Sequence, residues 1–169
     1  MSKSLGNVIN PLDIIAKYGT DALRAFLLKE IPMFDDGDVT MERFDAFYHA
    51  DLANGLGNLV SRVMTMAEAH IQPIPLKTEQ ITMGYDIHRA ASLIWNRIAA
   101  LDADIQKDEA FKSVKTDPEG TKALIERYVR ELGAIAYMLE PIMPETATKI
   151  LGVVRENKAP TEPLFPRQR

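Results

Sequence analysis

Between Asp51 and Met66 the chain carries DLANGLGNLVSRVMTM. At about 100° per residue, Leu52, Leu56, Leu59, Val63 and Met66 fall in one narrow stripe, widened by Val60 and Ala67, and such a stripe has to be covered by other helices. Asp51, Asn54, Asn58, Ser61, Arg62 and Thr65 collect on nearly the opposite side. Asn58 and Arg62 are four residues apart, so an amide and a guanidinium stand one turn from each other on the same helix. Together they offer several donors, a carbonyl acceptor and a flat cation, the groups needed to recognise the edge of an unstacked base and to stack on its ring. A solvated helix face is the plain alternative on spacing alone. Gly55 and Gly57 each cost such a helix about 1 kcal/mol relative to alanine. Close approach by another helix or by a ligand is the expected compensation.

With 169 residues the chain is long enough to bury a sizeable core. Its 46% hydrophobic and 26% charged residues are the proportions of a folded domain, not of an extended disordered segment. The formal net charge is -4, so any nucleic-acid contact has to come from a local patch. The absence of cysteine excludes disulfides, thiolate metal sites and thiol catalysis, and three scattered histidines have no metal-ligand spacing; no metal site is expected. There is no apolar run of about 18 residues and no N-terminal signal pattern. No membrane contact is expected, and the cytoplasm is the expected compartment.

Residues 1–10, MSKSLGNVIN, describe a loop running into a brief extended segment at Val8 and Ile9. Lys3 stands between two serines, a setting that suits a phosphate but equally an ordinary solvated lysine. Asn10-Pro11 opens a short helix with Leu12, Ile14, Ile15 and Tyr18, ended by Gly19. Thr20 or Asp21 is expected to cap a second helix, apolar at Ala22, Leu23, Phe26 and Leu27, with Arg24 projecting away from that face. Asp35, Asp36 and Asp38 form an acidic loop whose spacing falls short of a calcium-binding hand.

From Thr40 to about Ile71 the pattern is helical, with an interruption allowed near Ala50. A loop is expected at residues 76–85, then a helix from Ile87 to Ile105 with Ala91, Leu93, Ile94, Ile98, Leu101 and Ile105 inward and Trp95 in the core. Phe111, near Lys107, Lys112 and Lys115, suits stacking on a single-stranded RNA base; a small anchoring hydrophobe is the alternative. A helix from Glu119 to Leu139 points Leu124, Tyr128, Leu132, Ile135 and Leu139 inward. Pro144 opens the last helix, and the tail from Lys158 is expected to be extended. The economical architecture is mainly α: an antiparallel helical bundle at residues 41–155, preceded by a small module at 1–40 and followed by a tail at 156–169.

MSKSLGNVIN resembles the signature loop of class I aminoacyl-tRNA synthetases, usually written KMSKS, and GTDALRAFLL resembles the helix that follows it. DLANGLGNLVSR, LEPIMPETATKI and PLFPR resemble, in the same order, segments of the anticodon-binding domain of methionyl-tRNA synthetases. The resemblance covers nearly the whole chain apart from about residues 72–86 and 112–122. It implies a stem-contact module at residues 1–40 and an anticodon-binding bundle after it. In that family the catalytic domain with its HIGH motif, and an insertion that often carries zinc, precede the signature loop. The chain is therefore expected to correspond to a C-terminal part that does not aminoacylate alone.

By the same resemblance, Lys3 corresponds to the loop's second lysine, which stabilises negative charge on the ATP phosphates during methionine activation. ATP with magnesium belongs to the full enzyme, and no cofactor is expected in this chain. Asn58 and Arg62 match the pair that recognises cytosine at the first anticodon position. Phe111 falls where the family usually has the tryptophan of an A-P-W segment that stacks on the anticodon, whereas this chain has Glu109, Ala110 and Phe111. Phenylalanine keeps a stacking face but lacks the indole N–H. The implied partners are the methionine tRNAs and the catalytic domain of the same enzyme. Two alternatives stand beside this: the anticodon-binding part of a leucyl-, isoleucyl- or valyl-tRNA synthetase, against which the Asn58 and Arg62 pair speaks, and a stand-alone helical module that contacts protein.

Overall fold

The computed structural model describes residues 9–31, 39–76 and 86–167. Lys3, the acidic loop at Asp35, Asp36 and Asp38, and residues 77–85 of the expected loop lie outside them. Among the described residues the chain is helical and without strands, the mainly α bundle that the periodicity predicts. No helix among them is long and apolar enough to cross a membrane.

Helix α1 (Pro11–Tyr18) starts as its sequence requires, with proline at the first position and the Asn10 side chain accepting from the Leu12 amide. Gly19, at φ 87°, turns the chain directly into α2 (Thr20–Glu30). Neither Thr20 nor Asp21 caps α2, contrary to expectation, because both are already inside its first turn. The Asp21 carboxylate instead accepts from the Thr146 amide at 2.7 Å, 125 residues further on. Arg24, one turn along, donates through Nε to the Ile142 carbonyl and through Nη2 to that of Pro141, each at 2.7 Å. The face that α2 buries is Ala22, Ala25 and Phe26; Leu27 lies a further step round the helix and is 42% exposed.

Thr40 accepts from the Arg43 amide and starts α3 (Met41–Phe47). The helical path does not break near Ala50; from Tyr48 to Gly57 it widens into a π-helix before continuing as α4 (Asn58–His70). The i→i+5 bonding of a π-helix adds residues to each turn and so shifts the phase of what precedes Asn58. Asp51 is consequently not on the Asn58 face: it turns to α2 and accepts from Lys29 Nζ at 2.9 Å. The apolar stripe survives, with Leu52, Leu56, Leu59, Val60 and Val63 buried and Met66 packed at its edge.

Asp86 caps α5 (Ile87–Asp108), which buries Ala91, Ile94, Trp95, Ile98, Leu101 and Ile105. Leu93, expected inward, is 52% exposed, because α2 and α7 cover the side of α5 that carries Ile94 and Ile98. After the short α6 (Ala110–Ser113), Asp117 caps α7 (Pro118–Leu139), and Pro144 opens α8 (Pro144–Glu156). Helix α7 is the central element, packed against α4, α5 and α8, while α2 rests on α5 and α8.

One continuous core runs from Ile14 in α1 to Phe165 in the tail. A series of rings crosses it: Tyr18 lies 4.9 Å from Phe44, Phe44 5.3 Å from Phe26, Phe26 5.6 Å from Phe47, and Phe47 6.1 Å from Trp95. Edge-on and tilted pairs of this kind add roughly 0.5–1.5 kcal/mol each beyond the apolar area they bury. They tie α1, α2, α3 and α5 into one body that holds α4 in place.

Candidate nucleic-acid interface

Helix α4 is anchored on its apolar side by Leu59, Val60, Val63, Met64 and Ala67, all buried, which leaves Asn58, Ser61 and Thr65 exposed on the other. The C-terminal tail crosses beside this polar face as a strap with several fixed points. Asn157, in the left-handed region at φ 51°, donates from Nδ2 to the Ile71 and Ala67 carbonyls at 2.8 and 3.3 Å and so closes the C-terminal end of α4. The Ala159 amide donates to Glu68, and Tyr48 Oη donates to the Pro166 carbonyl. Phe165 is buried; a Cβ on Gly57 would stand 3.4 Å from its ring. That is an ordinary packing distance; the tighter neighbour is the Leu52 carbonyl oxygen, 3.1 Å from the same Cβ and within the widened turns themselves, so it is the π-helix and not the tail that crowds position 57.

Between strap and helix lies a cleft of about 610 Å³, lined by Asn54, Asn58 and Ser61 on one side and Thr161, Glu162 and Arg167 on the other. Arg167 Nη2 donates to Asn54 Oδ1 at 2.8 Å. Such a volume admits an unstacked base. Arg167 belongs to the terminal PLFPR segment, but nothing in its spacing from Asn54 indicates that the two meet.

Asn58 and Arg62 remain neighbours one turn apart, yet they face different surroundings. Asn58 opens on the cleft, while Arg62 leans towards α5 and donates from Nη1 to Asp102 Oδ1. The second Asp102 oxygen accepts from Gln106 Nε2, one turn further along α5. This carboxylate was not legible in the sequence, since it lies 40 residues from Arg62 with no motif around it.

Phe111 lies in α6, and its side chain is outside the description. The backbone that carries it is well defined by its neighbours. Helix α5 ends at Asp108, whose Oδ2 accepts from Tyr128 Oη at 2.9 Å and from Arg127 Nη2 at 2.6 Å, both from α7. Burial, and then the hydrogen bond to Asp108, push the Tyr128 phenol up to about 12. Glu109 takes the left-handed conformation at φ 44° and turns the chain into α6. Ala110 is buried and Ser113 Oγ meets Thr121 Oγ1 at 3.0 Å, so α6 is held against α7. Asp102 and Gln106 lie on the stretch of α5 that leads to α6, Asp102 about 9 Å before the end of the helix at a rise of about 1.5 Å per residue.

The family of class I tRNA synthetases of the methionine type matches residues 1–64. Methionine–tRNA ligase of Rhizobium meliloti is 31% identical over 175 residues, covering 91% of this chain and 34% of that protein. The corresponding ligase of Clostridium acetobutylicum is 35% identical over 175 residues, covering 89% and 27%. The chain belongs to the class I methionyl-tRNA synthetase family. It spans between about a quarter and a third of the length of these curated relatives. Among solved structures, the methionyl-tRNA synthetase of Mycobacterium tuberculosis in complex with methionyl-adenylate is similar with a TM-score of 0.80 at 23% identity, over 99% of this chain and 41% of that one. The apo form of the same synthetase has a TM-score of 0.78 at 22% identity, over 95% and 41%. At these identities the likeness concerns the fold, and it extends through the tail as well as the bundle.

Proposed function

We propose that this chain is the tRNA-binding part of a methionyl-tRNA synthetase and that it recognises the methionine anticodon. The observation that carries the proposal is the polar face of α4, where Asn58 borders a cleft of base-sized volume and Arg62 is held one turn away by Asp102. Cytosine presents two adjacent acceptors, O2 and N3, on its pairing edge; uracil replaces the second with an N–H donor. A guanidinium with Nη1 engaged by Asp102 has a second edge, Nε–H and Nη2–H, whose two parallel donors suit cytosine and oppose uracil. Asn58 supplies an amide for a further contact, and Phe111 supplies a ring for stacking.

For the whole enzyme the proposed reaction is the ATP-dependent attachment of methionine to tRNA. Lys3 stabilises the ATP phosphates there, with magnesium as the companion ion. Lys3 lies outside the described residues, so its assignment rests on the resemblance of the signature loop.

Titration with anticodon stem-loop RNAs tests the anticodon reading. The unmodified chain is expected to prefer cytosine to uracil at the first anticodon position, and Arg62→Ala or Asn58→Ala is expected to cost about 1–3 kcal/mol, roughly ten- to hundredfold, with the matched loop. Phe111→Trp restores a larger stacking face and is expected to tighten binding. Equal binding of both loops by the unmodified chain refutes the proposal and favours a protein-contacting module.

A further inference from the structure

The Arg62–Asp102 pair is not needed to hold α4 against the bundle. Leu59, Val60, Val63 and Met64 are each about fully buried on the opposite side, and the side chains of the pair are 34% and 36% exposed. Ion pairs this wet add little to stability. The pair nevertheless restricts a long, rotamer-rich cation, and it does so from a rigid support: Leu101 and Ile105 anchor α5 in the core on either side of Asp102. Both carboxylate oxygens are engaged, Oδ1 by Arg62 and Oδ2 by Gln106, so the carboxylate cannot turn without giving up one of them.

We propose that Asp102, braced by Gln106, is a positioning residue that fixes the Arg62 guanidinium and thereby sets the choice between cytosine and uracil at the bound anticodon base. The inference rests on the anticodon reading given above. Its physical basis is preorganisation: with Nη1 engaged, the edge offered to RNA is Nε–Nη2, and the entropy of ordering the side chain is lost on folding instead of on binding. A guanidinium free to rotate can present a single donor to uracil O2 as readily as to cytosine O2, and discrimination falls. Asp102 itself needs no contact with RNA in this role.

The test compares stem-loop RNAs with cytosine or uracil at the first anticodon position, using the full chain, Asp102→Asn, Arg62→Ala and the double variant, with thermal melting of each protein. Removing the carboxylate's charge raises affinity for both RNAs together at low salt, so the informative quantity is the ratio between them. Asp102→Asn is expected to lower the cytosine-to-uracil ratio about five- to tenfold while melting near the unmodified chain, and to leave the ratio unchanged when Arg62 is already alanine. A ratio in Asp102→Asn equal to that of the unmodified chain overturns the positioning role and leaves the anticodon reading standing. An equal drop in both backgrounds also overturns it, since Asp102 then acts without Arg62. An unmodified chain with no preference overturns the anticodon reading and the inference together. Should Asp102→Asn melt early, Gln106→Ala serves the same comparison, with an expected drop of about twofold because it loosens the carboxylate without removing its charge.

Discussion

Replacing Asp21 with alanine isolates the joint between α2 and the turn that links α7 to α8. Helix α8 has Met143 at its N-cap, which supplies no side-chain acceptor, so the Asp21 carboxylate from another helix takes that place by accepting from the Thr146 amide. The bond is buried, and Asp21 is 7% exposed. Its loss leaves an amide without water or partner, a cost of about 1–3 kcal/mol. Losing an N-cap in general costs about 0.5–2 kcal/mol, and both figures describe the same bond, so the expected destabilisation is about 2 kcal/mol and not their sum. For a chain of this length that lowers Tm by about 4–8 °C. Asp21→Asn keeps an acceptor of the same shape but gives up its charge at the positive end of α8, and is expected to lose about half as much. Urea unfolding followed by far-ultraviolet circular dichroism measures both. An Asp21→Ala protein within about 0.5 kcal/mol of the unmodified chain refutes the cross-helix cap, and so does Asp21→Asn falling further than Asp21→Ala.

Two other perturbations follow from the same kind of reasoning. Tyr128 has its phenol raised from 10.0 to about 12, first by burial and then by Asp108. A group raised in this way contributes stability that is present below the unfolded value and lost as pH climbs from about 10 towards 12, so the urea midpoint should fall across that window; Tyr128→Phe should flatten the decline, and an unchanged profile contradicts the assignment. Asn157→Ala removes two bonds to the end of α4 and leaves a Cβ in the left-handed region, an expected loss of about 2–3 kcal/mol. Asn157→Gly loses the same bonds without the backbone penalty and should cost about 1 kcal/mol less; equal urea midpoints for the two refute the backbone part of the account.

The positions of the helices, their inward faces and most of their starts were legible in the sequence because they depend on neighbours within four or five residues. Asn10-Pro11, Thr40 and Pro144 mark helix starts by local chemistry, and Leu52, Leu56, Leu59 and Val63 define a buried stripe by spacing alone. The same short range places Asn58 and Arg62 one turn apart whatever the rest of the chain does. What each side chain meets was decided only in three dimensions. The π-helix at Tyr48–Gly57 shifts Asp51 away from Asn58 and towards Lys29, a change that no count at a fixed angle per residue can foresee. Asp21 serves α8 instead of its own helix, Arg24 holds carbonyls more than a hundred residues away, Arg62 is paired across to α5, and Arg167 returns in the tail to meet Asn54. Periodicity fixes a helix's own geometry, but the partner of a polar side chain depends on how whole helices lie against one another, and that follows from the summed packing of the core and not from any local run of residues.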